Sequence, residues 1–168
     1  MVTLPGGVPP QASTFGLVVP AQPGRVLNMR IVYDIRNKPE WKMRHEEFED
    51  PSSPLYHKFW TTQESRELNK PPASWFDQVG SWLTSQGFKI TARDPNFIGI
   101  QFTGTVAQVD KAFRVEIMST NDGKHYSILA DPMIPARFQG TIIGILGLDN
   151  LGGVSLAAMG GAAVLPSR

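Results

Sequence analysis

The sequence predicts an α+β fold: a two-layer sandwich whose helices cover one face of an antiparallel sheet. Three observations carry that prediction. Residues Arg25 to Tyr33 alternate, with Leu27, Met29, Ile31 and Tyr33 on one side and Val26, Asn28, Arg30 and Val32 on the other, as a half-buried strand requires. Trp75, Phe76, Val79, Trp82 and Leu83 then recur at helix spacing and fall on one face. After them come two alternating runs, a short apolar helical stripe and a further strand. The order is strand, helix, strand, strand, helix, strand. That is the βαββαβ unit of the ferredoxin-like arrangement, here with extra short helices and a C-terminal linker.

Each element has local signals. Gln86-Gly87 closes the main helix, Gly87 being suited to the left-handed position after a helix end. Phe88 to Ala92 alternates as a strand, Asp94-Pro95-Asn96 is a turn, and Phe97 to Thr103 alternates again with Ile98, Ile100 and Phe102 on one face. Gly104-Thr105 ends that strand. Val106, Val109 and Phe113 form the second helical stripe, and Val115 and Ile117 start the strand expected to complete the unit. His125 to Ala130 is a short strand placed to form a hairpin with it. Phe138 to Leu148 is apolar with scattered glycine, and periodicity leaves helix and strand both open.

Between the first strand and the main helix lies a charged region. Asn37 to Asp50 reads as a helix with Pro39 in its first turn. Trp41, Arg44, His45 and Phe48 form its weak stripe. Asp50-Pro51-Ser52-Ser53-Pro54 breaks it. Thr61 or Thr62 caps a short helix through Leu68, with Glu64 placed early as capping chemistry prefers. Asn69-Lys70-Pro71-Pro72 stops that helix, and Ser74 is the expected cap of the next.

The ends differ from the middle. Residues 1–24 are rich in Pro, Gly and Gln without periodicity and read as an extended lead-in, with only Phe15 to Val19 able to pair at an edge. Residues 25–149 form the ordered domain. Residues 150–168 are small and uncharged until Arg168 and read as a flexible linker.

Composition bounds the function. At 168 residues with 41% hydrophobic and 18% charged, the chain can bury one core. A net charge of +1 argues against an electrostatic nucleic-acid binder. Cysteine is absent, which excludes disulfides, thiol catalysis and cysteine-ligated zinc. No run is long and apolar enough to span a bilayer, and no signal-peptide pattern opens the chain as given.

Candidate chemistry is sparse. His45, His57 and His125 fit no metal-ligand spacing. Glu46 and Asp50 sit one helical turn apart without an activated serine and read as a solvated acidic helix end. Gly152-Gly153 and Gly160-Gly161 lack the Lys-Ser/Thr of a phosphate loop. No catalytic residue, metal site or cofactor is expected.

The run Asp50-Pro51-Ser52-Ser53-Pro54-Leu55-Tyr56-His57-Lys58-Phe59, followed by Thr61, resembles a signature of the activation prodomain of sedolisins, the serine-carboxyl peptidases of the pro-kumamolisin type. Later residues resemble that family in the same order. They are Val79 to Phe88 at the helix end, Ile100 to Thr105 followed by Val109, Ala112-Phe113 and Val115, and Pro132 to Pro135 followed by Ile143 to Leu148. The resemblance covers about Arg25 to Asp149. It implies a ferredoxin-like prodomain that assists folding of a peptidase domain in cis and blocks its active site until acid-triggered autocleavage. It also implies secretion. Two departures stand out: the catalytic motif Ser-Gly-Thr-Ser does not occur, and the Asn37 to Asp50 segment is short and charged.

A two-layer unit leaves one sheet face open. The helix-facing side is expected to be Leu27, Met29, Ile31, Phe88, Ile90, Ile98, Ile100, Phe102, Val115 and Ile117. The open side should then present Asn28, Arg30, Val32, Phe97, Gly99, Gln101, Glu116 and Met118, an apolar centre with a polar rim. In the prodomains that the chain resembles, this face lies against the peptidase. Asp149, Asn150, Leu151, Gly152 and Gly153 would lead the linker into the peptidase cleft. Carboxylates such as Glu116 are expected to lose any ion pair with acid, and neutralising Glu116 and Arg30 would test the surface. The alternatives are a stand-alone inhibitor or binding module on the same fold, and an enzyme whose site only folding assembles.

Overall fold

Val26–Tyr33 is a strand because its alternation lets one side pack and the other stay open. Leu27, Met29, Ile31 and Tyr33 are buried, and the residues between them are exposed or half-buried. It is an interior strand of the computed structural model, which describes residues 1–94 and 99–152. In chain order the elements are β1 (Val2–Thr3), β2 (Val19–Pro20), β3 (Val26–Tyr33), α1 (Pro39–Glu49), α2 (Thr62–Asn69), α3 (Ala73–Ser85) and β4 (Lys89–Asp94). They continue with β5 (Gly99–Thr105), α4 (Val106–Phe113), β6 (Ile117–Ser119), β7 (Tyr126–Ile128), β8 (Met133–Ile134) and β9 (Ile142–Leu146).

The main sheet has the order β4-β5-β3-β9, with every neighbouring pair antiparallel. Helices α3 and α4 supply its cover. α3 buries Trp75, Phe76, Val79, Trp82 and Leu83, and α4 buries Val106, Val109, Ala112 and Phe113. The centre of the core is aromatic. Phe88 lies edge-on to Phe102 at 5.1 Å and stacks on Phe113 at 5.7 Å, while Trp82 meets Phe113 at 5.6 Å and Phe138 at 5.7 Å. Burying one such phenylalanine contributes about 1.5–3 kcal/mol, so this cluster is the main energetic link between helices and sheet. The two helices are also tied by their ends. Gly87, at φ +86°, closes α3, and its carbonyl accepts from Gln108 Nε2 at 2.8 Å. Gln108 is at the same time the partner of Thr105 in the capping box that starts α4.

This is the ferredoxin-like order, with one correction to the expected strands. The fourth strand is β9, not the segment at Val115 and Ile117. Arg114 adopts a left-handed conformation at φ +52°, ending α4 and turning the chain away. Ile117–Ser119 then pairs with β7 on one side and β2 on the other, in a separate three-stranded sheet. Three residues pair easily across the nearby turn at Thr120 to Gly123, whereas β9 offers a five-residue apolar run that matches β3. The segment whose period was ambiguous is therefore a short 3-10 turn at Ala136–Phe138 followed by an edge strand.

The lead-in is also more structured than its composition suggests. β1 pairs with β8, the Leu4 N–H donates to the Pro132 carbonyl at 2.7 Å, and Leu4, Ala12, Leu17 and Ala21 are buried. These are tertiary contacts more than 100 residues apart in sequence, which periodicity within residues 1–24 could not reveal. α3 starts at Ala73 with Pro72 as its N-cap, so Ser74 lies inside the helix. Thr61 caps α2, with Glu64 completing a capping box.

Candidate functional site

The alternation of β3 decides what the uncovered face presents. With Leu27, Met29 and Ile31 turned to the helices, Asn28, Arg30 and Val32 must face the other way. Register aligns them with their neighbours. Asn28 lies opposite Thr103, Arg30 lies between Gln101 and Leu146, and Val32 lies between Gly99 and Gly144. Five of the expected residues, Asn28, Arg30, Val32, Gly99 and Gln101, thus share one face.

Glycine brings the backbones of that face close together. A methyl group on Gly99 would run into the Ile31 carbonyl oxygen, and one on Gly147 into that of Asn28. Gly147 is also at φ +91°, which a side chain would strain. At the β4 edge the register slips between Ile90 and Ala92, leaving Thr91 as the extra residue of a bulge. The result is a shallow depression of about 340 Å³ lined by Asn28, Arg30, Thr91, Gln101, Leu146 and Gly147. It is a polar surface with an aliphatic border.

Three expected members are not brought into it. Glu116 is exposed in the link between α4 and β6, and Met118 lies in β6 of the smaller sheet, where it packs near Leu17 and Leu151. Both were placed by assuming that Ile117 began the fourth strand. Glu116 and Arg30 therefore do not share this face. Phe97 lies outside the described residues. Thr91, Thr103 and Leu146 belong to the face and were missed. Thr103 was legible from its spacing with Gly99 and Gln101, but Leu146 depended on identifying β9.

The exit segment is held at its start. The Tyr126 N–H donates to Asn150 Oδ1 at 2.7 Å, the Asn150 N–H donates to the Tyr126 carbonyl at 3.1 Å, and Asn150 Nδ2 donates to the Lys124 carbonyl at 2.8 Å. Leu151 is buried with Ala12 and Leu17, and the Leu151 N–H donates to Asp149 Oδ1 at 3.3 Å. The linker expected to be free from Asn150 is thus anchored through Leu151. Gly152 is exposed at φ +75°, and Gly153 lies outside the described residues. Burial raises the Tyr126 phenol's pKa, opposed by the Arg25 guanidinium 4.5 Å over its ring and reinforced by Asp149.

The remaining candidates have structural explanations. His45 stacks on Trp41, His57 stacks on Tyr56, and His125 meets Phe15 edge-on. No cluster of three or more potential ligands occurs among the described residues. Asp50 ends α1. Its carboxylate accepts from the Ser52 N–H at 2.8 Å and from Ser52 Oγ at 2.7 Å, the hydroxyl bond doing most to lower its pKa. Ser53 Oγ accepts from the Leu55 N–H at 3.0 Å. The Asp-Pro-Ser-Ser-Pro motif is therefore a self-bonded turn, not an acid-base pair with Glu46. Among the described residues, no helix is long and apolar enough to cross a membrane.

Comparison with known proteins places this geometry in a family. The sequence model of the family described as "Pro-kumamolisin, activation domain" matches residues 14–151. Xanthomonalisin from Xanthomonas sp. (strain T-22) is 30% identical over 103 residues, 60% of this chain. That stretch is 12% of the relative's length.

Proposed function

The chain belongs to the Pro-kumamolisin activation domain family, and from that premise we propose that it is the propeptide of a secreted, acid-activated sedolisin-type peptidase. It acts as a folding assistant and as an inhibitor of the peptidase domain joined to it in cis, and autocleavage at low pH removes it. It has no catalytic role of its own. The observation that carries this reading is the family match across residues 14–151.

The open face supplies a docking surface. A sheet with one uncovered face, a central Arg30 and Gln101, and aliphatic Val32 and Leu146 offers the mixed character of a non-obligate interface. The linker after Leu151 runs on into the peptidase cleft. Because the two parts share one chain, a high effective concentration makes modest contacts sufficient for inhibition. Acid loosens the complex as carboxylates paired across the interface become protonated, over roughly pH 5 to pH 3.

Slow-binding inhibition of a mature sedolisin-type peptidase tests this. Residual activity is followed from about pH 6 to about pH 3 with the chain added in trans, across the carboxylate range. Tight inhibition at the upper end that fades with acid is expected. A folded chain that inhibits its own precursor's peptidase at no pH would overturn the reading.

A further inference from the structure

Between Tyr33 and Trp75, Pro71 is the one buried residue among the described ones, and Ile35 packs against the core from its edge. α1, α2 and the turn motif between them, which fill most of this stretch, add no side chain to the hydrophobic core. α1 has no buried residue at all. Short helices without a packed face are marginal in water, so the pair relies on its own bonds. Lys38 Nζ donates to the Leu68 and Lys70 carbonyls at 2.8 and 3.0 Å, and Arg44 lies 3.7 Å from Glu64.

Those bonds leave a groove of about 490 Å³ between the helices, lined in part by Glu40, Met43, Glu47, Trp60, Glu67 and Leu68. Two features mark it as unfinished. Met43 is 59% exposed, and Phe59, just before Trp60, is 72% exposed. Glu40, Glu47 and Glu67 have no ion pair among the described residues, while the neighbouring cations Lys38 and Arg44 are already engaged.

We propose that this groove is a second docking site for the peptidase domain, one that receives a basic segment of it. The occupant's Arg or Lys side chain pairs with Glu47 and Glu67, and its backbone lies over Met43 and beside the Trp60 ring. Charge complementarity selects the partner, and Met43 and Leu68 supply the apolar floor. The identity of the partner rests on the propeptide reading; the groove's chemistry does not.

The test uses the whole chain labelled with nitrogen-15 and the mature peptidase of its precursor. The Trp60 indole N–H resonance should shift on complex formation, together with amides of the open face. The double variant Glu47→Gln, Glu67→Gln should bind about tenfold more slowly at low ionic strength, and its rate should depend less on salt. Shifts confined to the open face, with unchanged kinetics in the variant, would overturn the groove while leaving the propeptide reading intact. A Trp60 shift that follows the chain's own concentration without peptidase would assign the groove to a second copy instead. No binding by the unmodified chain would overturn both readings.

Discussion

Asn150 and Tyr126 hold each other by two hydrogen bonds, at 2.7 and 3.1 Å, so that the exit segment adds one more pairing beside β7. The side chain of Asn150 supplies the acceptor that a neighbouring strand's carbonyl would otherwise provide. Its amide nitrogen reaches on to the Lys124 carbonyl. Leu151 is then placed against Ala12 and Leu17, so the lead-in and the exit of the chain share one small cluster.

Asn150→Ala removes both side-chain bonds. The expected result is a local loss of about 1–2 kcal/mol, read as faster hydrogen exchange at the Tyr126 amide with the main-sheet amides unchanged. Asn150→Asp keeps the acceptor for Tyr126 but turns an oxygen toward the Lys124 carbonyl, so it should also lose protection. Equal exchange in all three proteins would show that Leu151 alone holds the exit.

Gly99→Ala tests the close approach of β5 and β3. The added methyl meets the Ile31 carbonyl, a backbone atom of an interior strand that cannot step aside cheaply. A destabilisation of about 1–3 kcal/mol is expected in urea titration. Stability equal to that of the parent would mean the strands can separate there without cost.

Asp110 links α4 to β6 by accepting from the Ile117 N–H at 3.0 Å, and burial raises its pKa, with Glu116 adding to the rise. A raised carboxylate pKa makes the charged form a burden on the fold. The burden is present above the folded-state pKa and is relieved as pH falls through it. Asp110→Asn keeps the acceptor without the charge. It should match or exceed the parent's stability at neutral pH, with the difference shrinking on acidification. Asp110→Ala instead leaves the buried Ile117 without its acceptor and should cost about 1–3 kcal/mol at any pH. Thermal melts of the three proteins at several pH values decide the matter, and a parent that outlasts the Asn variant at neutral pH would reverse the assignment.

Asp122 behaves in the opposite way. The Thr120 hydroxyl, at 2.6 Å, and the Lys124 N–H lower its pKa to about 2. Its contribution to the β6–β7 turn is therefore present above the ordinary carboxylate pKa of about 4 and lost as pH falls toward 2. The stability difference between the parent and Asp122→Ala should stay level from neutral pH to about pH 4 and shrink below it. A difference already gone at pH 4 would mean the carboxylate is not held in this way. The turn beside the exit segment should thus persist under the acid conditions proposed to release the domain.

Much of the fold is carried by period and punctuation. The alternation of Leu27, Met29, Ile31 and Tyr33, the helical stripe from Trp75 to Leu83, the Thr61 and Gly87 helix ends and the order of elements are local properties, and the structure realises each of them. The same alternation put Asn28, Arg30, Val32, Gly99 and Gln101 on one face before any strand partner was known, because side-chain direction in a strand depends only on parity.

Strand partnership was beyond local reading. Ile117–Ser119 and Ile142–Leu146 are both short apolar runs, and nothing within either says which will pair with β3. The left-handed Arg114 and the bond from the Ile117 N–H to Asp110 turn the first away, and that choice moved Glu116 and Met118 off the face and Leu146 onto it. The docking of residues 1–24 and the capture of Asn150 and Leu151 are likewise contacts between distant stretches. By itself the sequence determined the elements, their order and the two-sidedness of the central strand, since these follow from bonds and side chains a few residues apart. Only the tertiary structure decided which strand completed the sheet, because pairing compares whole segments for length, register and burial, and that comparison exists only once the chain has closed on itself.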